Sequence, residues 1–400
     1  MRQAKVLINY NGKNITETLS DYNLDFSYTD ATSGELDDLQ IRVADRDRKW
    51  QKTWAPEEGD KIQVTIEVVN WYQEVHRKKY NCGTFHVDGL TFSGAPDEVT
   101  IKAASFPISS AVRQEKRTKV WEKVKLSTIA RDVASRAKLK LVIEVKNDPT
   151  YDRIEQEEKT DFAFLLELTS KEGIAVKVTD NKLVLFDEVK FEKGKSVATF
   201  ERGKDNILSY FFEWSADNCA YRACELTYDV TIKPKTPKKD NGGKDDGGGI
   251  FDPEPKLMKA AKKDDGSIFE PGDGGGGSGT KPKPAKKKKK GKAKAIKQTH
   301  KVTYIPPGAP SSGPILRVKE NVDSKADALR VAKNRLRERN KLANKASLTV
   351  VGDIQIAAGV VITIVGFGRF DGKYIVDSVV HQIGGGGYET RMDIRKILGW

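Results

Sequence analysis

Over the first 110 residues, apolar side chains recur at alternate positions between short polar breaks, the period-2 signature of half-buried β-strands. Val6 and Ile8 lead into Asn11-Gly12, and Asn-Gly fits the positive-φ corner of a two-residue hairpin. The same alternation places strands at 39–43, 61–69, 83–87 and 99–103, with Glu57-Glu58-Gly59-Asp60 as an intervening turn. Short strands at this spacing predict a small barrel or sandwich.

From 126 to 187 the period lengthens. Ile129, Val133 and Ala137 share one helical face behind Ser127, read as the N-cap. A second helix is expected behind Asp161 as N-cap, running through Phe162, Phe164, Leu165 and Leu168 to Gly173, a residue suited to a left-handed C-cap. Apolar runs at 174–178 and 183–186 flank Thr179-Asp180-Asn181-Lys182 as a hairpin, which completes a small α+β unit. Further on, Ser324 and Asp327 have capping-box spacing, and Leu329, Ala332 and Leu336 continue as a helix to about residue 343. Strands near 360–365, 374–383 and 390–397 follow, separated by the glycines at 366–372 and 384–387. The strands missing from this second β module are assigned to 208–214 and 223–232.

Four hundred residues exceed one ordinary core, which stops growing near roughly 250 to 300 residues. At Lys233-Pro234-Lys235 the composition turns abruptly to Lys, Pro, Gly and Asp and stays so to about Thr299, too little apolar surface to offset the entropy of ordering. The fold class that follows is mostly β with an α+β insertion: a small β-barrel at 1–115, an α+β domain at 116–190, a second small β-barrel at 191–232 and 300–400, and a disordered low-complexity insertion at 233–299. The net charge of +13 is concentrated, because Lys281 to Lys297 holds ten lysines and no acid, leaving +3 for everything else. No apolar stretch approaches the roughly 18 residues of a membrane span, and polar Tyr10-Asn11-Gly12 cuts short any secretory h-region; no membrane partner is expected. Cys82, Cys219 and Cys224 cannot all pair and lack CxxC spacing, so reduced thiols are expected.

Candidate chemistry is sparse. His76, His86, His300 and His381 have no HExxH, HxH or HxE neighbours and are read as structural or surface residues. Gly366-Phe367-Gly368 and Gly384 to Gly387 do not open a helix carrying Lys-Ser or Lys-Thr, so tight turns explain them better than phosphate binding. Asp37-Asp38 and Glu57-Glu58 read as solvated turn acids, and Asn14-Ile15-Thr16 has no meaning as a glycosylation site without secretion. Trp50, Trp54, Trp71 and Trp121 are assigned to core packing, with protein interfaces as the alternative. No catalytic, cofactor-binding or metal-ligating residue is assigned, and no cofactor is expected.

Asp161-Phe162-Ala163-Phe164-Leu165-Leu166-Glu167-Leu168 followed by Glu172-Gly173-Ile174 resembles the D-F-x-F-L-x-x-L helix and E-G-I strand entry of the phage late control protein D family, which groups with contractile-tail baseplate hubs and VgrG spike proteins. Gly372-Lys373-Tyr374-Ile375-Val376, His381 and Gly387-Tyr388-Glu389-Thr390 look like that family's closing strands; Gly34 to Asp45, Gly59-Asp60-Lys61-Ile62 and Cys82-Gly83-Thr84-Phe85-His86-Val87-Asp88 fit its first barrel. The long Lys/Gly/Pro insertion departs from short family members. The resemblance implies a non-enzymatic homotrimer in which each chain supplies two similar hub domains, matching a hexameric tail tube protein on one side and a trimeric spike protein on the other. Other baseplate proteins are implied neighbours, and a tape-measure contact is compatible with that place. The expected location is the baseplate of a virion or tail-like particle assembled in the bacterial host cytoplasm. Infectious phage and DNA-free tail-like bacteriocin stay open alternatives. Two rival classes remain. A tail-associated peptidoglycan-degrading enzyme finds no leftover domain and no triad spacing. A nucleic-acid-binding tail protein acting through Lys281 to Lys297 finds no interleaved aromatics, so nucleic acid is not an expected partner.

Overall fold

The computed structural model describes residues 1–22, 24–73, 76–106, 111–214, 220–232, 296–322 and 324–400. The chain divides into two compact units, Met1–Tyr228 with His300–Trp400, and Asp229–Thr299. In the second unit the described residues are strand ends, where Thr299 Oγ1 donates to Asp229 Oδ1 at 2.7 Å. The disorder expected for 233–299 falls outside the described residues over 233–295; at 296–299 the chain is already strand, so the expected boundary runs four residues too far.

In the larger unit the first 104 residues form β1 (Gln3–Tyr10), β2 (Lys13–Asn14), β3 (Asp25–Ala31), β4 (Asp38–Ala44), β5 (Lys61–Val69), β6 (Arg77–Ser93) and β7 (Glu98–Ala104), with α1 (Thr16–Ser20) after β2. Alternation is followed closely: in β5, Ile62, Val64, Ile66 and Val68 are buried while Lys61 and Gln63 are exposed. The hairpin corner is at Asn11 and Gly12, with φ of 45° and 86°.

The middle segment carries β8 (Lys116–Lys125), β9 (Lys140–Glu144), β10 (Thr150–Thr160), β11 (Ile174–Thr179) and β12 (Lys182–Asp187), with α2 (Ala111–Gln114), α3 (Leu126–Arg136), α4 (Asp161–Glu172) and α5 (Glu188–Glu192). Both expected caps move by one or two residues. Lys125 precedes α3 in extended conformation, and Ser127 lies in the first turn, where its N–H and Oγ both reach Asp148 at 2.9 and 2.7 Å. Thr160 caps α4 by accepting from the Ala163 N–H. Asp161 is buried against Arg117, Arg136 and Gln156 instead. Gly173 ends α4 with φ 70°.

The remaining elements are β13 (Ser196–Glu201), β14 (Ile207–Trp214), β15 (Ala223–Ile232), β16 (Ile296–Tyr304), β17 (Ile315–Lys319), α6 (Lys325–Asn340), β18 (Asn344–Val351), β19 (Val361–Val365), β20 (Gly372–Gly384) and β21 (Gly387–Lys396). Ser324 caps α6 as expected, accepting from the Asp327 N–H. β15 does not join the second β module: it lies between β16 and β17 in a separate three-stranded sheet.

Thirteen strands form one sheet in the order β14-β18-β21-β20-β3-β4-β7-β6-β5-β1-β2, with β19 on β20 and β13 on β19. The expectation of two barrels gives way to this single ladder, which does not close among the described residues. The reason is a long-range pairing: Ser378 to Ile383 of β20 pairs with Phe26 to Ala31 of β3, so strands that could have closed each half bridge the halves. Three apolar clusters sit beneath, one under the N-terminal strands, one between α3, α4 and β11–β12, and one under β18–β21.

Candidate interaction surface

The sheet ends at β14, whose sequence is Ile-Leu-Ser-Tyr-Phe-Phe-Glu-Trp. Among the described residues it pairs only with β18, so its other edge presents unpaired N–H and C=O groups. Leu208, Tyr210, Phe211 and Trp214 are 52, 47, 62 and 50% exposed. Edges are ordinarily protected by charge, proline or a cover; here Glu213 is the one charge.

Strand alternation puts Tyr210, Phe212 and Trp214 on one face, over the turn that precedes β20. Phe367 packs 4.9 Å from the Tyr210 ring and 4.8 Å from Phe212, and Phe370 stacks on Phe212 at 5.2 Å. Arg202 lies 5.6 Å above Tyr210 and Arg369 4.6 Å above Trp214. Half-buried Phe212, which meets Tyr374, and Phe367 anchor the shelf to the core. The result is an aromatic shelf rimmed by two guanidinium groups, the composition favoured at protein–protein contacts. Phe211 faces the opposite side.

Away from the shelf, buried ion pairs join α5, α6, β20 and β21. Glu192 of α5 accepts from Arg337 of α6 at 2.7 Å and from Arg395 of β21 at 2.9 Å. Arg395 also reaches Glu188 and Asp377, at 3.0 and 2.9 Å. Burial alone would raise the Glu188 carboxyl, but Lys341 and Arg395 hold it below its ordinary range; burial pushes Asp377 up to about 6 against the pull of Arg395. At a second junction Lys177 of β11 pairs with Asp30 and, at 3.3 Å, with Asp37, and donates to the Ala31 carbonyl at 2.8 Å. Burial raises Asp37 to about 6, while Lys177 stays charged because both carboxylates outweigh its own desolvation. A cleft of about 430 Å³ opens between these junctions, and its Glu188, Lys341, Asp377 and Arg395 are already paired with one another.

The four histidines are not brought together. His381 is fully buried: Ile356 C=O can only accept, so Nε2 at 3.1 Å carries the proton and Nδ1 accepts from Tyr388 Oη at 2.8 Å. Burial pushes this imidazole down to about 4. His86 sits 3.3 Å from Asn181 Oδ1, His300 stacks on Tyr228 at 5.6 Å, and the His76 carbonyl accepts from Asn70. Asp37 is corrected from a solvated turn acid to a buried ion-pair partner; Asp38 opens β4 and Glu57 belongs to a turn. Trp50 and Trp54 pack edge to face at 5.6 Å, Trp71 donates to the Gly352 carbonyl at 2.5 Å, and Trp121 lies against the middle core under Lys119. Cys82 and Cys224 are buried free thiols; Cys219 lies outside the described residues. Among the described residues no group of three His, Cys, Asp or Glu could hold a metal, and no helix is long and apolar enough to cross a membrane.

The exposed aromatics of β14 escaped the sequence reading, which marked 208–214 as a strand and looked for interface residues among the tryptophans nearer the N-terminus. The available signal was the lack of period-2 alternation in Tyr-Phe-Phe, apolar on both faces.

The sequence profile of the phage tail baseplate hub (GPD) family matches residues 94–387, well over half of the chain. The chain is 26% identical over 237 residues to a probable baseplate hub protein of Escherichia phage 186, covering 58% of each. It is 28% identical over 173 residues to a probable baseplate hub protein of Escherichia phage P2, covering 43% of this chain and 42% of that one. The matches thus span about half the length of these relatives. The tail protein from Neisseria meningitidis MC58 has a similar fold, with a TM-score of 0.62 at 11% identity over 98% of this chain and 96% of the other.

Proposed function

This chain belongs to the phage tail baseplate hub family, and from that premise we propose that it is a structural hub at the baseplate of a contractile tail or tail-like particle. It acts as a homotrimer in which each chain offers two β modules, one on either side of the β3–β20 junction, so that three chains present six tube-facing units. One side receives the hexameric tail tube and the other the trimeric spike, with further baseplate proteins around it. Its work is mechanical: the chain adapts sixfold to threefold symmetry and catalyses nothing.

The observation that carries this reading is the uncovered edge of β14. Large apolar side chains on a strand with one open edge are a liability for a monomer and an asset for an assembly component. The test is the molar mass of the purified full chain by light scattering, alone and mixed with its neighbouring tube and spike gene products. A trimer, or a monomer that trimerises with a partner, is the expected result; a monomer indifferent to both overturns it. Clearing of bacterial cell walls in a zymogram would overturn the non-enzymatic part.

A further inference from the structure

We propose that a cleft between α4, α5 and α6 binds a small, multiply charged oxyanion. The proposal goes beyond the hub reading and does not depend on it.

The cleft adjoins the paired one described above, sharing Glu188 and Lys341 with it, and measures about 420 Å³. That volume lies within the roughly 300 to 1,000 Å³ usual for small-ligand sites. Its walls come from the β9–β10 connection, the end of α4, α5 with the residues after it, and one face of α6. On that face Arg330, Lys333, Arg337 and Lys341 recur at three- and four-residue spacing, which brings their side chains to one side of the helix.

Both signs of charge line the cleft, and most of them are matched. Arg330 pairs with Glu172, Lys341 with Glu188 and Glu338, and Lys190 with Glu144. What is left over is mainly positive. Among the described residues Lys146, Lys193 and Lys333 have no carboxylate within ion-pair distance. Against them stands one acid, Asp187, which accepts the Lys146 backbone N–H at 3.0 Å.

Arg337 adds an independent sign. The residue is 4% exposed and lines the cleft, and its Nη2 donates to Glu192 at 2.7 Å. Its Nη1 is buried with no hydrogen-bond partner, the one cationic donor so placed among the described residues. The Trp400 ring lies 5.4 Å from the guanidinium carbon, a cation–π contact that supplies no acceptor oxygen. A buried charged donor left unmatched keeps its desolvation cost with no bond to offset it, and folded chains rarely retain one without a partner. An oxyanion seated beside Lys333 and Arg337, one turn apart on α6, supplies that partner and draws in Lys193 from beyond α5. A group with two or more charges and several acceptor oxygens matches separated donors better than a lone carboxylate does. Phosphate-type anions and small polycarboxylates share this chemistry.

The test is titration calorimetry of the full chain with pyrophosphate and, separately, with citrate, at constant ionic strength set by chloride. Saturable one-to-one binding of at least one of them is the expected result, and the tighter of the two identifies the ligand as phosphate-type or carboxylate-type. Lys333→Gln and Lys193→Gln break no buried pair; each is expected to weaken binding about fivefold or more with an unchanged unfolding midpoint in anion-free buffer. Arg337→Lys keeps a charge for Glu192 but lacks Nη1, and is expected to weaken binding about tenfold or more. Arg339→Gln removes the same charge from an exposed position of α6 outside the cleft and is expected to leave binding unchanged. Equal weakening by Arg339→Gln would reduce the effect to overall charge and overturn the site. Absence of saturable binding by either anion would overturn it as well and leave water as the partner of Nη1.

Discussion

Glu192 and Arg395, 203 residues apart, meet at 2.9 Å with both side chains 3% exposed. The other Glu192 oxygen holds Arg337, so one carboxylate fastens α5 to both α6 and β21. A buried pair of this kind adds little over a well-packed apolar substitute, but removing one partner strands the other charge at a cost of about 3 to 5 kcal/mol. Glu192→Gln strands the buried Arg337 guanidinium, while Arg395 keeps Glu188 and Asp377, and is expected to lose stability toward the lower end of that range in urea unfolding. Glu155→Gln breaks a pair that is 62 and 51% exposed and is expected to leave the midpoint unchanged.

A second prediction concerns acid. Burial holds His381 neutral in the folded chain down to about 4, against an ordinary value of 6.5. A group whose folded value is depressed contributes stability that is present above the unfolded value and is lost as pH falls toward the folded one. The window is therefore 6.5 to about 4, and the loss across it reaches up to about 3 kcal/mol. His381→Gln keeps a donor and an acceptor but does not titrate. Unfolding free energies of the two proteins between pH 7.5 and 4.5 are expected to converge as pH falls; a constant gap would show that the imidazole is not held neutral.

Asp37 works in the opposite sense over nearly the same window. Burial raises its carboxyl from 3.8 to about 6, so its contribution is fully present below 3.8 and is lost as pH rises through 6. In Asp37→Asn that dependence disappears, and the stability of the variant relative to the parent is expected to rise between pH 4 and 6.5. Because His381 and Asp37 oppose one another, the parent's own profile understates both, and only the differences between variants separate them. Equal slopes for parent and variant would assign the titration elsewhere.

Local rules carried the sequence reading where the cause was local. Asn11-Gly12, Asp180-Asn181, the Ser324 cap and the αL residue Gly173 each require a particular backbone, and each stands where the residues place it. Period-2 alternation located β4, β5 and β7 within about a residue. Failures came where long-range pairing decides. Asp161 has the chemistry of an N-cap, but Arg136 and Arg117 arrive from distant strand and helix and take it. Nothing near Ala223 announces that β15 leaves the main sheet, and nothing in Phe26 or Val379 says that β3 and β20 will find each other. The β14 surface was missed for the same reason: whether an apolar strand is central or at an edge is settled by which neighbours arrive, and the strand does not encode that itself.

The final prediction tests how closely α4 and α6 are packed. Gly173 has φ 70°, and a Cβ there would lie 2.8 Å from Asn334 Oδ1. Asn334 cannot simply retreat, because its Nδ2 donates to the Lys171 carbonyl at 2.9 Å and so satisfies the end of α4. Gly173→Ala therefore adds the left-handed penalty of about 1 to 2 kcal/mol to the loss of a hydrogen bond, near 1 kcal/mol, about 2 to 3 kcal/mol together. Gly203 has φ 81° with nothing within 4 Å of the same position, so Gly203→Ala pays only the backbone part. Urea unfolding of the two variants should differ by the Asn334 contribution, and Asn334→Ala in the Gly173→Ala background should make the second change less harmful than in the parent. Equal losses for the two glycines would mean that α6 yields at this point and that the helices are not tightly locked.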